Sequence, residues 1–411
     1  MQGGKSEVFR RVWPAIWLAG AGLQAAPANA QGSQIVLARS LMDVTQASAN
    51  LPLLLLRLRI TPKQALKLPA DNKGNTLRGA FGSALRRLVC IPQCRDARHC
   101  PLEGVCPYRV IFEPSPPPGA DRLSKNQDTP RPFIFRPPLG SQTTHSPGEA
   151  FDFSLTLLGK AADYLPYFVL AFREVAREGI GLNRAPCELE RVEALVPETA
   201  ALEPADKEGC PRPLGGEGGP QPAFSSAGAD RVRESFPLGP QVIYNRGDDL
   251  FRQPAPWTLA DWVRPRLPQW KNAAPRFTIC FLTPTYLKFK EQAVLRPDFH
   301  HLFKRVRDRL NALCTFFGPG PIGADFKGLG EAAEKVQTVK CDVHWVDRHR
   351  TSSRTHQRHE LSGFLGECIY DLSPVPSDLV PAFLTWILCG ELLHAGRHTA
   401  WGNGWYEVGR V

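Results

Sequence analysis

Four cysteines fall close together as Cys90-x3-Cys94-x5-Cys100-x5-Cys106. Four thiolates at this density can close the tetrahedral shell of a structural zinc ion. The loop between them is rich in proline and basic residues and has little core of its own, so a metal would supply its folding energy. His99 could replace one cysteine, and two reduced buried pairs or a redox pair are the alternatives. A shell of four thiolates leaves no open coordination position, so such a zinc would not be catalytic. A second run, Gly390 to Trp405, interleaves glycine with His394, Arg397, His398, Trp401 and Trp405. Gly396, Gly402 and Gly404 let backbone approach a phosphate closely, Arg397 adds charge, and the tryptophans can stack on a base. A third segment, Lys340 to His359, carries Arg348, Arg350 and Arg354 together with four of the ten histidines. A basic hairpin of this kind suits a phosphate backbone.

The composition agrees with a polyanionic partner. The 411 residues hold 50 Lys plus Arg against 40 Asp plus Glu, a net charge of +10. Charged residues at 22% and hydrophobic residues at 43% exclude a wholly disordered or fibrous chain. Eleven cysteines, an odd number and mostly scattered, argue for reduced thiols and a cytoplasmic location rather than a disulfide framework. Arg10-Arg11 and the apolar run Val12 to Ala25 have the layout of a secretory signal, yet residues 1–50 read better as an extension outside the fold. No later stretch is apolar enough for a membrane span, and no membrane partner is expected.

These groups need elements to hold them. Leu51 to Ile60 reads as a strand with Arg57 and Arg59 on one face. Leu77, Phe81, Ala84, Leu85 and Leu88 make a helical stripe opening near Asn75-Thr76, with Arg78, Arg86 and Arg87 off it. Strands at Pro132–Pro138 and Phe151–Leu157, a helix from Asp163 to Gly179, and a strand from Cys187 complete a strand-helix-strand-strand-helix-strand order. The same order recurs after residue 275. The predicted class is α+β: tandem ferredoxin-like (βαββαβ) domains with a zinc-binding insertion. The first spans 51–195 with the Cys-rich insertion at 90–107, and the second spans 275–411 with the glycine-rich loop. Residues 196–274 read as a Pro/Gly-rich linker or insertion with one short helix in Trp257–Trp270.

Several pieces together resemble the CRISPR repeat-RNA processing endoribonucleases of the RAMP superfamily, in the branch with a cysteine-rich insertion. They are Leu77-Arg78-Gly79-Ala80-Phe81-Gly82, Cys106-Pro107-Tyr108, Phe112-Glu113-Pro114, Arg131-Pro132-Phe133, Leu158 to Pro166, and Gly390 to Gly404. The resemblance implies metal-independent cutting of precursor CRISPR RNA by the 2′-OH beside the scissile phosphate, with no cofactor for catalysis. It implies repeat RNA or guide RNA and other CRISPR effector subunits as partners. Where relatives place a histidine in the first helix, this chain has Ser83. His394, with His398 as its alternative, then becomes the expected acid–base residue. Arg78, Arg86, Arg87, Arg348, Arg350, Arg354 and Arg397 are the expected RNA contacts, with Trp401, Trp405 and Tyr108 as stackers. Two other readings remain: a non-cleaving RNA-binding subunit of an effector complex, and a zinc-containing DNA-binding regulator.

Overall fold

The computed structural model describes residues 50–71, 73–94, 100, 102, 105–114, 129–197, 238–247, 250–254, 257–270, 275–351 and 358–411. The first module comprises β1 (Pro52–Pro62), α1 (Lys73–Val89), β2 (Phe133–Arg136), β3 (Phe151–Leu158), α2 (Leu165–Glu178) and β4 (Cys187–Pro197). Its strands run antiparallel in the order β2-β3-β1-β4, the ferredoxin-like arrangement. After α3 (Leu259–Val263), the second module repeats the scheme. It contains β6 (Arg276–Thr285), α4 (Phe299–Phe317), α5 (Phe326–Ala333), β7 (Gln337–Val346), β8 (Gly363–Asp371), α6 (Val380–Leu393) and β9 (Tyr406–Arg410). Its sheet order is β7-β8-β6-β9. The tandem ferredoxin-like reading therefore holds.

Three sequence expectations need correction. The segment read as a linker donates β5 (Leu238–Asn245), which pairs with β4 and widens the first sheet. Trp257–Thr258 pairs with the start of β1, and α3 follows behind a capping box in which Asp261 accepts from the Thr258 amide at 2.8 Å. Trp262 of α3 is buried in the core of the second module. Tertiary pairing, invisible to local composition, orders these pieces. Helix α1 begins at Lys73, earlier than Asn75, and Leu88 leaves the apolar stripe to stand 44% exposed. Residues 1–49, 198–237, His99 and Arg354 lie outside the described residues.

Strand β1 shows how one sequence serves two cores. Leu54, Leu56, Leu58 and Ile60 face α1 and α2, while Leu51, Leu53 and Leu55 join a core built mostly by the second module. The arginines of β1 are neutralised by neighbours: Arg57 donates to Glu193 at 2.8 Å and Arg59 to Asp152 at 2.9 Å. Among the described residues, no helix is long and apolar enough to cross a membrane.

Candidate nucleic-acid interface

Arginines from both modules meet on one tryptophan. The Arg78 guanidinium, from α1, lies 5.3 Å from the Trp401 ring centre, and that of Arg350 lies 5.0 Å from it. His398 stacks on the same ring at 4.5 Å with an interplanar angle of 15°. Arg78 also covers Phe112 at 4.4 Å. Burial, then the like charges of Arg131 and Arg350, push the Arg78 pKa well below the ordinary guanidinium value. The Nε atoms of Arg78 and Arg131 are buried and lack hydrogen-bond partners among the described residues. Crowded, desolvated guanidinium groups with unspent donors form a site that a phosphate anion would stabilise.

Trp401 is placed by the turn after α6. Gly402 (φ 94°) lies against the Phe135 carbonyl and the Pro137 ring, leaving no room for a Cβ. Thr283 donates to the Gly402 carbonyl at 2.8 Å. Gly396 and Gly404 meet the carbonyls of Tyr286 and Ala395 in the same manner. The three glycines expected to cradle phosphate therefore serve here to press backbone on backbone, which sets the neighbouring Arg397, His398 and Trp401 in position.

His394 differs from its expected role. Its ring is fully buried, and its positive φ of 58° ends α6. The Asn403 carbonyl, which can only accept, lies 3.1 Å from Nδ1, and Arg136 Nε, which can only donate, lies 3.2 Å from Nε2. These partners fix a neutral ring protonated on Nδ1, with its one lone pair engaged. The ring also stacks on Trp405 at 5.9 Å. Burial, then Arg136 and Arg309, hold its pKa well below the usual histidine value. This geometry contradicts the expectation that His394 acts as a base: neither nitrogen can reach a ribose. Trp405 is likewise buried and cannot stack on a base.

A polar knot surrounds that histidine. Arg136 also donates to the Glu391 carbonyl at 2.5 Å and lies 4.9 Å from the Trp405 ring. The Glu391 carboxylate is buried and pairs with Arg266, accepting at 3.1 Å from Nη2 and at 3.1 Å from Trp262 Nε1. It also accepts the Val408 amide at 2.7 Å. Arg136 was missed in the sequence. Its signal was an arginine inside the otherwise apolar strand Phe133–Arg136, followed by two prolines.

The other expected contacts divide. Arg348 is committed to Asp71 at 3.1 Å and lines a cleft of about 300 Å³ between the modules with Lys73, Asn75, Trp401 and Asn403. Arg87 pairs with Glu178 on the exposed surface, away from Trp401. Arg86 lies beside Cys90. Arg397 is exposed, over the Tyr286 ring at 4.6 Å. Arg131, quoted only as part of a motif, joins the Arg78 group.

Comparison with known proteins agrees with this picture. Residues 279–406 match the family model of the CRISPR-associated endoribonuclease Cas6, and residues 51–209 match a model described as an N-terminal domain. Residues 279–406 belong to the Cas6 family. An uncharacterized protein of Archaeoglobus fulgidus is 27% identical over 336 residues, covering 82% of this chain and 91% of that protein. A solved Thermus thermophilus Cas6 is similar at 15% identity and TM-score 0.43, over 88% of this chain and 99% of that one. A Cas6 product complex gives 15% identity and TM-score 0.45 over the same shares. In this chain the Cas6-type domain supplies Arg350, His398 and Trp401, and the first module supplies Arg78 and Arg131.

The four cysteines follow the end of α1. Burial and the adjacent Cys100 and Cys90 sulfurs push the Cys94 thiol up to about 11. Burial and the Cys106 sulfur raise Cys90 as well. The neighbouring sulfurs thus lie close enough to oppose one another's ionisation. The chain then enters the short helix Pro107–Ile111, and Tyr108 and Phe112 pack against each other at 5.2 Å. The cysteine loop thus carries the aromatic wall under Arg78.

Proposed function

We propose that this chain is a metal-independent endoribonuclease that cuts precursor CRISPR RNA within its repeats. The supporting observation is the convergence of Arg78, Arg131 and Arg350 around Trp401 and His398, where the Cas6-type domain meets the first module. The scissile phosphate rests on the arginines, and the ribose lies toward His398. The 2′-oxygen forms a bond to phosphorus as the bond from phosphorus to the 5′-oxygen breaks. His398 takes the proton from the 2′-OH, water returns one to the departing 5′-oxygen, and a 2′,3′-cyclic phosphate and a 5′-OH result. The arginines meet the negative charge that grows on the phosphorane oxygens. The product remains on the same cationic surface, available to effector subunits as a guide. Incubating excess protein with its repeat RNA, with EDTA removing free divalent ions, yields both products in a single turnover. Intact RNA would overturn the enzyme reading.

The non-cleaving alternative has one observation in its favour: Ser83 is exposed on α1 and His394 is sealed, which leaves the His398 imidazole, stacked on Trp401 beside the arginines, to do the work of both. Repeat binding without products under any condition would establish it.

Cys90, Cys94, Cys100 and Cys106 would hold a structural zinc, which supplies loop order and no chemistry. Cys100→Ser then removes about one equivalent of zinc by metal analysis and lowers thermal stability. Repeat RNA affinity also drops, because Phe112 no longer supports Arg78. Wild-type protein free of bound metal would refute this assignment.

A further inference from the structure

Beyond the Trp401 cluster lies a second aromatic group to which no role has yet been given. Tyr286, just after β6, and Trp345, near the end of β7, meet edge to face with ring centres 5.8 Å apart. Both side chains are half-buried, and Trp345 Nε1 is held by Asp347 at 2.9 Å. Arg397 lies over the Tyr286 face at 4.6 Å, its own amide donating to the Tyr286 carbonyl at 3.2 Å. Its guanidinium is exposed, and the acid whose charge it feels, Glu291, is paired with Lys288.

The position relative to the Trp401 cluster decides the reading. Arg397 and His398 are consecutive, so their Cα atoms are about 3.8 Å apart, less than one nucleotide's span. One belongs to each aromatic group. Trp345 and Arg350 are likewise joined by a short stretch of the same chain, through Arg348. Neighbouring residues of the chain therefore join the two groups, an arrangement that lets one strand run past both. Ring faces with an adjacent guanidinium are the usual means of holding an unpaired base and its phosphate.

We infer that Tyr286, Trp345 and Arg397 form a stacking subsite for an unpaired nucleotide next to the scissile phosphate. This inference rests on the proposed RNA-processing function and names the state of the substrate at that site: single-stranded beside the cut, not base-paired. Trp345 stacks on the base, Tyr286 braces the Trp345 ring edge to face, and Arg397 bonds the phosphate that follows.

The test is an abasic scan. Repeat RNA is made with a 2′-deoxy group at the cut to block cleavage, and with an abasic residue at each position in turn. Binding is measured for the full-length wild type, Trp345→Ala and Trp345→Phe. One position, or two neighbouring ones, weakens wild-type binding by about 5- to 100-fold. Trp345→Ala lowers affinity for intact RNA by a similar factor and loses sensitivity at that position only. Trp345→Phe keeps both, which separates loss of stacking from loss of fold. Trp345→Ala binding like wild type, or keeping its sensitivity at every position, would overturn the subsite while leaving the RNA-binding reading intact. A wild type that binds no repeat RNA at all would overturn both.

Discussion

Glu391→Gln lowers the stability of the whole chain by about 3–5 kcal/mol, because the buried Arg266 loses its counter-charge while remaining desolvated. The carboxylate of Glu391 accepts from Arg266, Trp262 and the Val408 amide, and its charge also offsets that of Arg136. An amide can replace some of these hydrogen bonds and none of the charge. Calorimetry should show the melting temperature falling by about 4–6 °C. A shift of one or two degrees would mean that the knot contributes little. The same knot sets a dependence on pH. His394 titrates below its ordinary value in the folded chain, so between those two values the unfolded chain binds the extra proton. Its contribution is complete above about pH 6.5 and declines below it, by up to about 1.4 kcal/mol per pH unit. His394→Asn flattens that slope.

His398→Ala lowers the single-turnover cleavage rate by about 10²- to 10⁴-fold, with repeat RNA affinity changed only slightly. His398 is half-buried, lies on the Trp401 ring and adjoins the arginine cluster. Removing it takes away a proton acceptor while Arg78, Arg131 and Arg350 still hold the phosphate. Cleavage and binding measured on the same preparation separate the two roles. An unchanged rate would shift the search for the base to the first module, beginning at the Tyr108 hydroxyl, which Glu113 holds at 3.1 Å.

The sequence revealed some layers of this structure more readily than others. Alternation in β1 and β3 and the stripes of α2 and α4 are periodic signals, so both βαββαβ units were readable. The cysteine spacing was likewise local. Pairing was not: β5 looks like linker because its partner, β4, is known only once the sheet is closed. The site followed the same rule. Arg78, Arg350, Trp401 and His398 could be singled out by type, yet nothing in their order showed that they share one ring. His394 was misread because a histidine beside glycines looks exposed, whereas Arg136, far earlier in the chain, seals it. The ion pairs of Arg87 and Arg348 were not legible because Glu178 and Asp71 are distant in sequence or outside any motif.

The two-faced character of β1 has a consequence for dissecting this protein. Leu51, Leu53 and Leu55 leave the first module to complete the second module's interior, and Trp262 does the same from the segment between them. Neither half carries a finished apolar interior, so a gene split after β4 would yield two sticky, poorly soluble fragments. Co-expressed, the fragments would recover their shape only by finding each other.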